Sequence, residues 1–311
     1  MSTTSISRRH ALRCLACGSA GTLFALSGGV LTPIDIATAA ADPTHRAAAQ
    51  DVFFIQVSDT HIGFNKEANP DVSGTLATTV DLVNQLRTPP ALILHTGDIT
   101  HRSRPQEFEQ ASELLGRLHV TELHTVPGEH DTADENVSEY FDRFGQASGR
   151  KGYYSFDHSG VHFMALTNVL EIKEGGLGSL GEAQLAWARA DLAARSASTP
   201  IVVFAHMPLW SVYEPWGWAT RDAEPLIAAL RRFGSVTVLN GHIHQIVQKT
   251  EGNIMFHSAR STAYPQPRPG EGSGPGPLTV PHEELAHVLG ITRIDAPKRT
   301  RAPVLHDTSL A

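Results

Sequence analysis

The sequence predicts an α/β fold in which two packed sheets carry helices on their outer faces. Two observations lead there. Continuous apolar runs that end in polar residues alternate with stretches of helical period, as in buried strands joined by crossover helices. Hairpin patterns interrupt that alternation, so a single parallel sheet does not account for the chain, whereas two sheets with outer helices do.

The elements follow in order. Residues 52–58 are an apolar run ending at Ser58, a buried strand. Residues 76–86 have helical spacing and stop before Pro89-Pro90. A second strand covers 91–95. A helix over 105–118 begins at Pro105, with Ser103 placed to cap it. Residues 122–126 form a third strand, and 135–144 a short helix closed by Gly145. Residues 153–157 and 161–168 flank Ser159-Gly160 as a β-hairpin. Ser179 and Glu182 have the spacing of a capping box for a helix reaching residue 194. A strand at 201–205, a helix at 224–233, a strand at 236–240, a hairpin over 246–258 and a late strand around 288–294 complete the set. Residues 265–277 hold five prolines and four glycines and read as a loop. The domain spans 41–296, and 297–311 reads as a flexible basic tail.

Composition narrows the function. In 311 residues, 41% are hydrophobic and 18% charged, which excludes a largely disordered chain. Thirty-two acids against 25 bases give a net charge of -7, so no nucleic-acid partner is expected. The 17 histidines direct attention to metal ligation and proton transfer.

The first 40 residues read as an address label. Ser7-Arg8-Arg9 precedes an apolar, Gly- and Ala-rich run from Ala11 to Leu31, and small residues follow from Ile36 to Ala41. This pattern resembles a twin-arginine export signal, with an A-x-A cleavage site. The expected location is periplasmic or otherwise extracytoplasmic, the expected partner is the twin-arginine export machinery, and no stable membrane span is expected after processing. An anchor helix is the competing reading, weakened by Arg13 and the glycines. Cys14 and Cys17 lie inside this segment, so the mature chain is expected to hold no thiol and no disulfide.

Five short motifs fall at the ends of predicted strands: Asp59-Thr60-His61, Gly97-Asp98, Gly128-Glu129-His130-Asp131, His206-Met207-Pro208 and Gly241-His242-Ile243-His244. Ligand sites in α/β sheets gather at the carboxyl ends of strands, so five loops at one sheet edge would converge. Singly, each motif is a common solvated loop. Together they supply carboxylates and imidazoles without sulfur, a donor set suited to Mn, Fe, Zn, Ni or Co. Two such ions about 3.5–4 Å apart can clamp a transferring phosphoryl group.

This order of motifs resembles the calcineurin-like metallophosphoesterase superfamily, and the compact chain looks most like its class III cyclic nucleotide phosphodiesterase branch. The resemblance covers residues 51–260. It implies a four-layer α/β/β/α sandwich of two mixed sheets. It also implies two divalent or mixed-valence transition metals, one held by Asp59, His61 and His244, the other by His206 and His242, with Asp98 as the bridge. Hydroxide held between the metals would attack phosphorus of a small phosphodiester or phosphomonoester, and His130 would contact the phosphoryl oxygen and protonate the leaving group. Glu129 departs from the pattern, which usually has a neutral Asn. It either ligates the second metal with an added charge or turns away and leaves that site weak. In the second case the alternative function, a non-catalytic binding module, gains ground.

Other residues carry open readings. Trp210, Tyr213, Trp216 and Trp218 form either an aromatic lip for substrate or a loop packed on itself. His95 reads as a satisfied buried histidine, Asp131 as a structural acid, Asn240 as a strand-end hydrogen bonder, and Tyr264 as a candidate cleft residue. His101 has no partner spacing and reads as ordinary.

Overall fold

The computed structural model describes residues 22–27, 30–35, 52–132, 137–296 and 303–311. The chain divides into two compact units, Met1–Gln50 and Asp51–Ala311. In the first, strands β1 (Thr22–Ser27) and β2 (Val30–Asp35) pair antiparallel. The paired arginines, both cysteines and the A-x-A stretch lie outside the described residues. Among the described residues no helix is long and apolar enough to cross a membrane.

The second unit begins with β3 (Val52–Val57), α1 (Val72–Asn84), β4 (Ile93–His95), α2 (Pro105–Leu115), β5 (Leu123–Thr125) and α3 (Val137–Arg143). The hairpin β6 (Tyr154–His158) and β7 (Val161–Ala165) follows, then α4 (Gly181–Ala193), β8 (Ile201–Phe204), α5 (Glu224–Leu230) and β9 (Val236–Asn240). A second hairpin, β10 (Val247–Glu251) and β11 (Ile254–Ser258), leads to α6 (His282–Val288), β12 (Gly290–Ala296) and β13 (Val304–Ser309).

These strands form two mixed sheets. The five-stranded sheet has the order β13-β12-β3-β4-β5, with β3, β4 and β5 parallel and β12 antiparallel to both its neighbours. The six-stranded sheet has the order β10-β11-β9-β8-β7-β6, with a parallel centre and antiparallel edge strands. Phe54, Leu94 and Ile294 from one sheet meet Phe163, Phe204 and Leu239 from the other in the layer between them. Phe54 and Phe163 meet edge to face, with centroids 5.2 Å apart. Outside the six-stranded sheet, Leu185, Ala188 and Leu192 of α4 and Leu226, Ile227 and Leu230 of α5 cover its apolar face. On the other side, Leu76 and Val80 of α1 pack with Phe108 and Ala111 of α2 and Tyr140 of α3. The result is the α/β/β/α sandwich, with β4, β7, β8 and β9 buried on both faces along their whole length.

Three local expectations are corrected. Ser179 does not cap α4. Asp222 does so from a distant loop: its carboxylate accepts the N–H groups of Leu180 and Gly181 at 2.8 Å each and lies 3.2 Å from the Ser179 hydroxyl. Ser103 does not cap α2 either. Its hydroxyl donates to the His130 carbonyl at 2.7 Å, while the Glu107 carboxylate takes the Arg102 N–H at 2.8 Å. The expected flexible tail contains strand β13, paired along β12 from Asp295↔Val304 to Gly290↔Ser309. Asp307 of β13 reaches His257 of β11 at 3.1 Å and accepts the Thr292 hydroxyl at 2.6 Å, so the C-terminus is tied to both sheets. A polar sequence with only alternate residues half-buried hid this edge strand from a hydrophobicity reading. Residues 265–277 contain no helix or strand, as expected.

Candidate metal centre

The five motifs meet, but they come from two sheets and not from one edge. Three follow β3, β4 and β5 of the five-stranded sheet, and two follow β8 and β9 of the six-stranded sheet. The loops are joined by backbone hydrogen bonds. Asp59 N–H donates to the Gly97 carbonyl at 3.0 Å, and His61 N–H to the Asp98 carbonyl at 2.9 Å. In the other sheet, Gly241 N–H donates to the His206 carbonyl at 3.0 Å.

The turns are tight enough to strain the backbone. Asp59, His61, Asp98, His242 and His244 all have positive φ, between 42° and 68°. Non-glycine residues rarely adopt that region, and each such residue costs on the order of 1–3 kcal/mol. The strain turns five polar side chains toward one point. Glycine is required beside them: a Cβ at Gly97 (φ 93°) would lie 2.6 Å from His206 Nδ1, and one at Gly241 would collide with the Ser58 hydroxyl and the Asp59 carboxylate.

Among the described residues five overlapping triads could hold an ion, His61–His101–His130, Asp59–Asp98–His206 and Asp98–Glu129–His130 among them, and the other two share no residue and hold six of the seven expected ligands. Asp59, His61 and His244 form the first, with His61 Nε2 3.2 Å from His244 Nε2 and Asp59 Oδ1 3.3 Å from His244 Nε2. Glu129, His206 and His242 form the second. Glu129 Oε2 lies 2.7 Å from His206 Nε2, and Oε1 lies 2.9 Å from His242 Nδ1. Glu129 therefore turns inward. Asp98 stands between the groups, with Oδ2 3.5 Å from His61 Nε2 and 3.4 Å from His206 Nε2. All of the predicted ligands are brought together.

The residues present fit metal ions. Glu129 Oε2, His206 Nε2 and both ring nitrogens of His242 are sealed from solvent and lack a well-aligned hydrogen-bond partner despite their short separations. Buried carboxylates and imidazoles of this density call for a cation to compensate them. Outer hydrogen bonds aim the rings, as is usual for ligating histidines. His206 Nδ1 donates to the Thr96 carbonyl at 2.7 Å and His244 Nδ1 to the Tyr264 carbonyl at 2.6 Å, which leaves each Nε2 facing inward. Asp59 is held by the Ser58 hydroxyl at 2.5 Å and by the His242 N–H at 3.1 and 3.2 Å.

Mutual charges set the titration. Burial opposes the charged form of Glu129, but His242 and His206 outweigh it and hold the carboxyl well below its ordinary range. Burial likewise opposes charge on His206, and Asp98 and Glu129 overcome it, raising that ring well above the usual histidine value. His61 goes the other way: burial first, then the neighbouring imidazoles, push it well down. His130 is raised, because Asp98, Glu129 and the His101 carbonyl outweigh its burial.

His130 donates Nδ1–H to the His101 carbonyl at 2.8 Å, and its own N–H donates to Asp98 Oδ1 at 2.9 Å. Its Nε2 is thus the nitrogen left for a ligand. Asp131 accepts N–H groups from Gly128, Ile99 and Thr100 at 2.8–3.0 Å, tying two motif loops together, a structural role as expected. Burial and the Asp98 charge push its carboxyl up to about 7. His95 is buried and satisfied by the Gly97 N–H and the Thr60 hydroxyl, both at 3.3 Å. Asn240 donates to the Ser258 hydroxyl at 2.6 Å. The tryptophans favour the self-packed reading: Trp218 is buried, Trp216 stands edge-on to it at 5.1 Å, and Tyr213 contacts Trp216.

Two site residues carried little signal in the sequence. The Tyr264 hydroxyl lies 3.3 Å from His61 Nε2, and its ring stacks on His61 at 4.9 Å. His101 lies 3.4 Å from His61 through Nδ1 and stacks on His130 at 4.9 Å. Its place three residues after Asp98, on a loop already assigned to the site, was the available clue.

Residues 54–246 match the family model described as calcineurin-like phosphoesterase. The chain is 27% identical to a 3',5'-cyclic-nucleotide phosphodiesterase of Nostoc sp. (strain PCC 7120) over 185 residues, 58% of this chain and 66% of that protein, just under two thirds of its length. It is 25% identical to a probable glycerophosphodiester phosphodiesterase of Arcobacter nitrofigilis over 224 residues, 68% of this chain and 78% of that one. The fold is similar to a dimetal phosphatase from Danio rerio, with a TM-score of 0.63 and 14% identity over 84% of this chain and 97% of that one. With the family model matching more than half of the chain and the donor set of the motifs gathered in one place, the chain belongs to the calcineurin-like phosphoesterase family.

Proposed function

We propose that this chain is an exported phosphoric ester hydrolase with a binuclear metal centre, acting on small phosphodiesters or phosphomonoesters. The observation that carries the reading is the position of Asp98 Oδ2 between His61 and His206, each belonging to a separate three-residue donor group. In this reading Asp59, His61 and His244 would hold one ion, Glu129, His206 and His242 would hold the other, and Asp98 would be shared between them. Bound metals supply water activation and positive charge for the phosphoryl oxygens. The chain's own residues do the rest. The strained loops fix the donors before substrate arrives. His130, tethered at Nδ1, presents Nε2 to a phosphoryl or leaving-group oxygen and gives up a proton there.

Two relatives are named for cyclic-nucleotide and glycerophosphodiester hydrolysis, and these diesters are the substrates to try first. The class III branch is proposed on the first of these likenesses. The donor set suits Fe, Mn, Zn, Ni or Co. Export by the twin-arginine route and an extracytoplasmic location rest on the Ser7-Arg8-Arg9 segment and the apolar run behind it.

The test is elemental analysis of the protein beside turnover of bis-p-nitrophenyl phosphate and p-nitrophenyl phosphate. Two transition metals per chain with diester turnover is the expected result. Monoester preference would make the chain a phosphatase. One ion or none, with no turnover after Mn or Fe is restored, would favour a binding module that keeps the fold without the chemistry.

A further inference from the structure

We propose that His101 is a positioning residue that holds two histidines of the centre at once, His61 through its ring and His130 through its backbone carbonyl. The inference rests on the metal-centre reading above.

The three inward-facing histidines with resolved outer bonds differ in what fixes them. His206 and His244 each give Nδ1–H to a backbone carbonyl. Among the described residues no carbonyl takes the place of these for His61. Its Nε2 faces Asp98 and His244, and its Nδ1 meets Nδ1 of His101 at 3.4 Å. A ring nitrogen therefore stands where the other two have an oxygen. For that bond, His61 carries its proton on Nδ1 and leaves Nε2 free for metal, while His101 accepts at Nδ1. A side chain that cannot accept there leaves His61 free to place its proton on Nε2, the tautomer that cannot ligate.

The second grip uses the backbone. His130 Nδ1–H donates to the His101 carbonyl at 2.8 Å, and the two rings stack with 16° between their planes. The His101 ring is held in turn by Phe64, edge-on at 5.2 Å, and Phe64 packs on Tyr264 at 4.4 Å. One residue thus sets both the tautomer of a metal-binding histidine and the direction of the histidine that faces substrate.

The two grips separate by substitution, because the carbonyl survives a change of side chain. His101→Asn keeps an acceptor near the Nδ1 position. His101→Phe keeps a ring on His130 and loses the acceptor, and His101→Leu does the same without the ring. Calorimetric titration of each metal-stripped protein with Mn²⁺ is the experiment, beside ¹H–¹⁵N spectra of the histidine rings. His101→Phe and His101→Leu are expected to weaken the ion at the Asp59–His61–His244 group about 10- to 100-fold, the usual effect of losing such an outer partner. His101→Asn is expected to stay within about threefold of the parent, and the His61 Nδ1–H signal is expected in the parent and His101→Asn only. Equal weakening in all three variants would reduce His101 to packing, and unchanged binding in His101→Phe or His101→Leu would also overturn the proposal. A parent protein that binds no Mn²⁺ and turns over no diester would instead overturn the metal-centre reading itself.

Discussion

The backbone N–H of His130 donates to Oδ1 of Asp98 at 2.9 Å. That bond fixes the carboxylate so that only Oδ2 is offered to the space between His61 and His206, at 3.5 and 3.4 Å. Asp98 is also buried, which leaves its carboxylate little room to rotate away. Asp98→Ala should therefore leave fewer than two ions per chain by elemental analysis, with kcat/KM for bis-p-nitrophenyl phosphate down by at least about a hundredfold. An Asp98→Ala protein with two ions and parental turnover would contradict the bridging role.

Glu129 places one oxygen on each histidine of its group, 2.7 Å from His206 Nε2 and 2.9 Å from His242 Nδ1. Of the two sequence-based alternatives, ligand or bystander, this geometry favours the ligand. Glu129→Ala removes both oxygens and should weaken the ion at that group by about 10- to 100-fold or more, leaving the Asp59 group occupied. Glu129→Asn keeps one carbonyl oxygen and removes a charge, so its affinity should fall between the two. Titration with Mn²⁺ distinguishes the three proteins, and equal affinities across them would show that Glu129 is not a ligand.

Much of this centre was legible because chemistry and topology coincide in the motifs. Asp59, Asp98, Glu129, His206 and His242 each follow an apolar run, and the end of a buried strand is where a polar residue has least reason to be unless it serves a site. The α/β/β/α layering followed from the mix of crossovers and hairpins. What escaped depends on distant partners. Asp222 caps α4 across more than 40 residues, and no local pattern announces that. The likeness of Ser179 and Glu182 to a capping box was a local resemblance overruled by tertiary structure. The convergence of two sheets on one point, the strained φ angles and the two contacts of His101 likewise arise only when the loops are folded against each other.

His130 is tied at Nδ1 and at its backbone N–H, and its ring is raised in affinity for protons. A group so held acts best on a poor leaving group, which needs a proton as its bond to phosphorus breaks. His130→Ala should keep its metal content and lose about 10²- to 10⁴-fold in kcat for an alkyl diester. The loss should be smaller for bis-p-nitrophenyl phosphate, whose p-nitrophenolate departs unprotonated. Equal losses on both substrates would assign His130 to charge stabilisation at the phosphoryl oxygen and not to proton delivery.

The C-terminal strand makes a separate prediction about stability. Asp307 of β13 is partly buried, which by itself raises its pKa, but the His257 ring at 3.1 Å and the Thr292 hydroxyl at 2.6 Å outweigh burial and lower it. The folded value therefore lies below the unfolded value of about 3.9. Stabilisation from this carboxylate is present above that pH and is lost as the pH falls through the folded value. Asp307→Asn keeps the shape and removes the charge. In metal-free protein at pH 7 it should cost about 2 kcal/mol in urea denaturation, the scale of a hydrogen-bonded charged group. At pH 3 the gap between the two proteins should narrow, since that pH lies below the unfolded value of about 3.9 and the unfolded parent then takes up a proton that the folded form holds less tightly. A gap that stays the same at both pH values would place the stabilisation in shape and packing, and no gap at pH 7 would mean that β13 contributes nothing to the fold through Asp307.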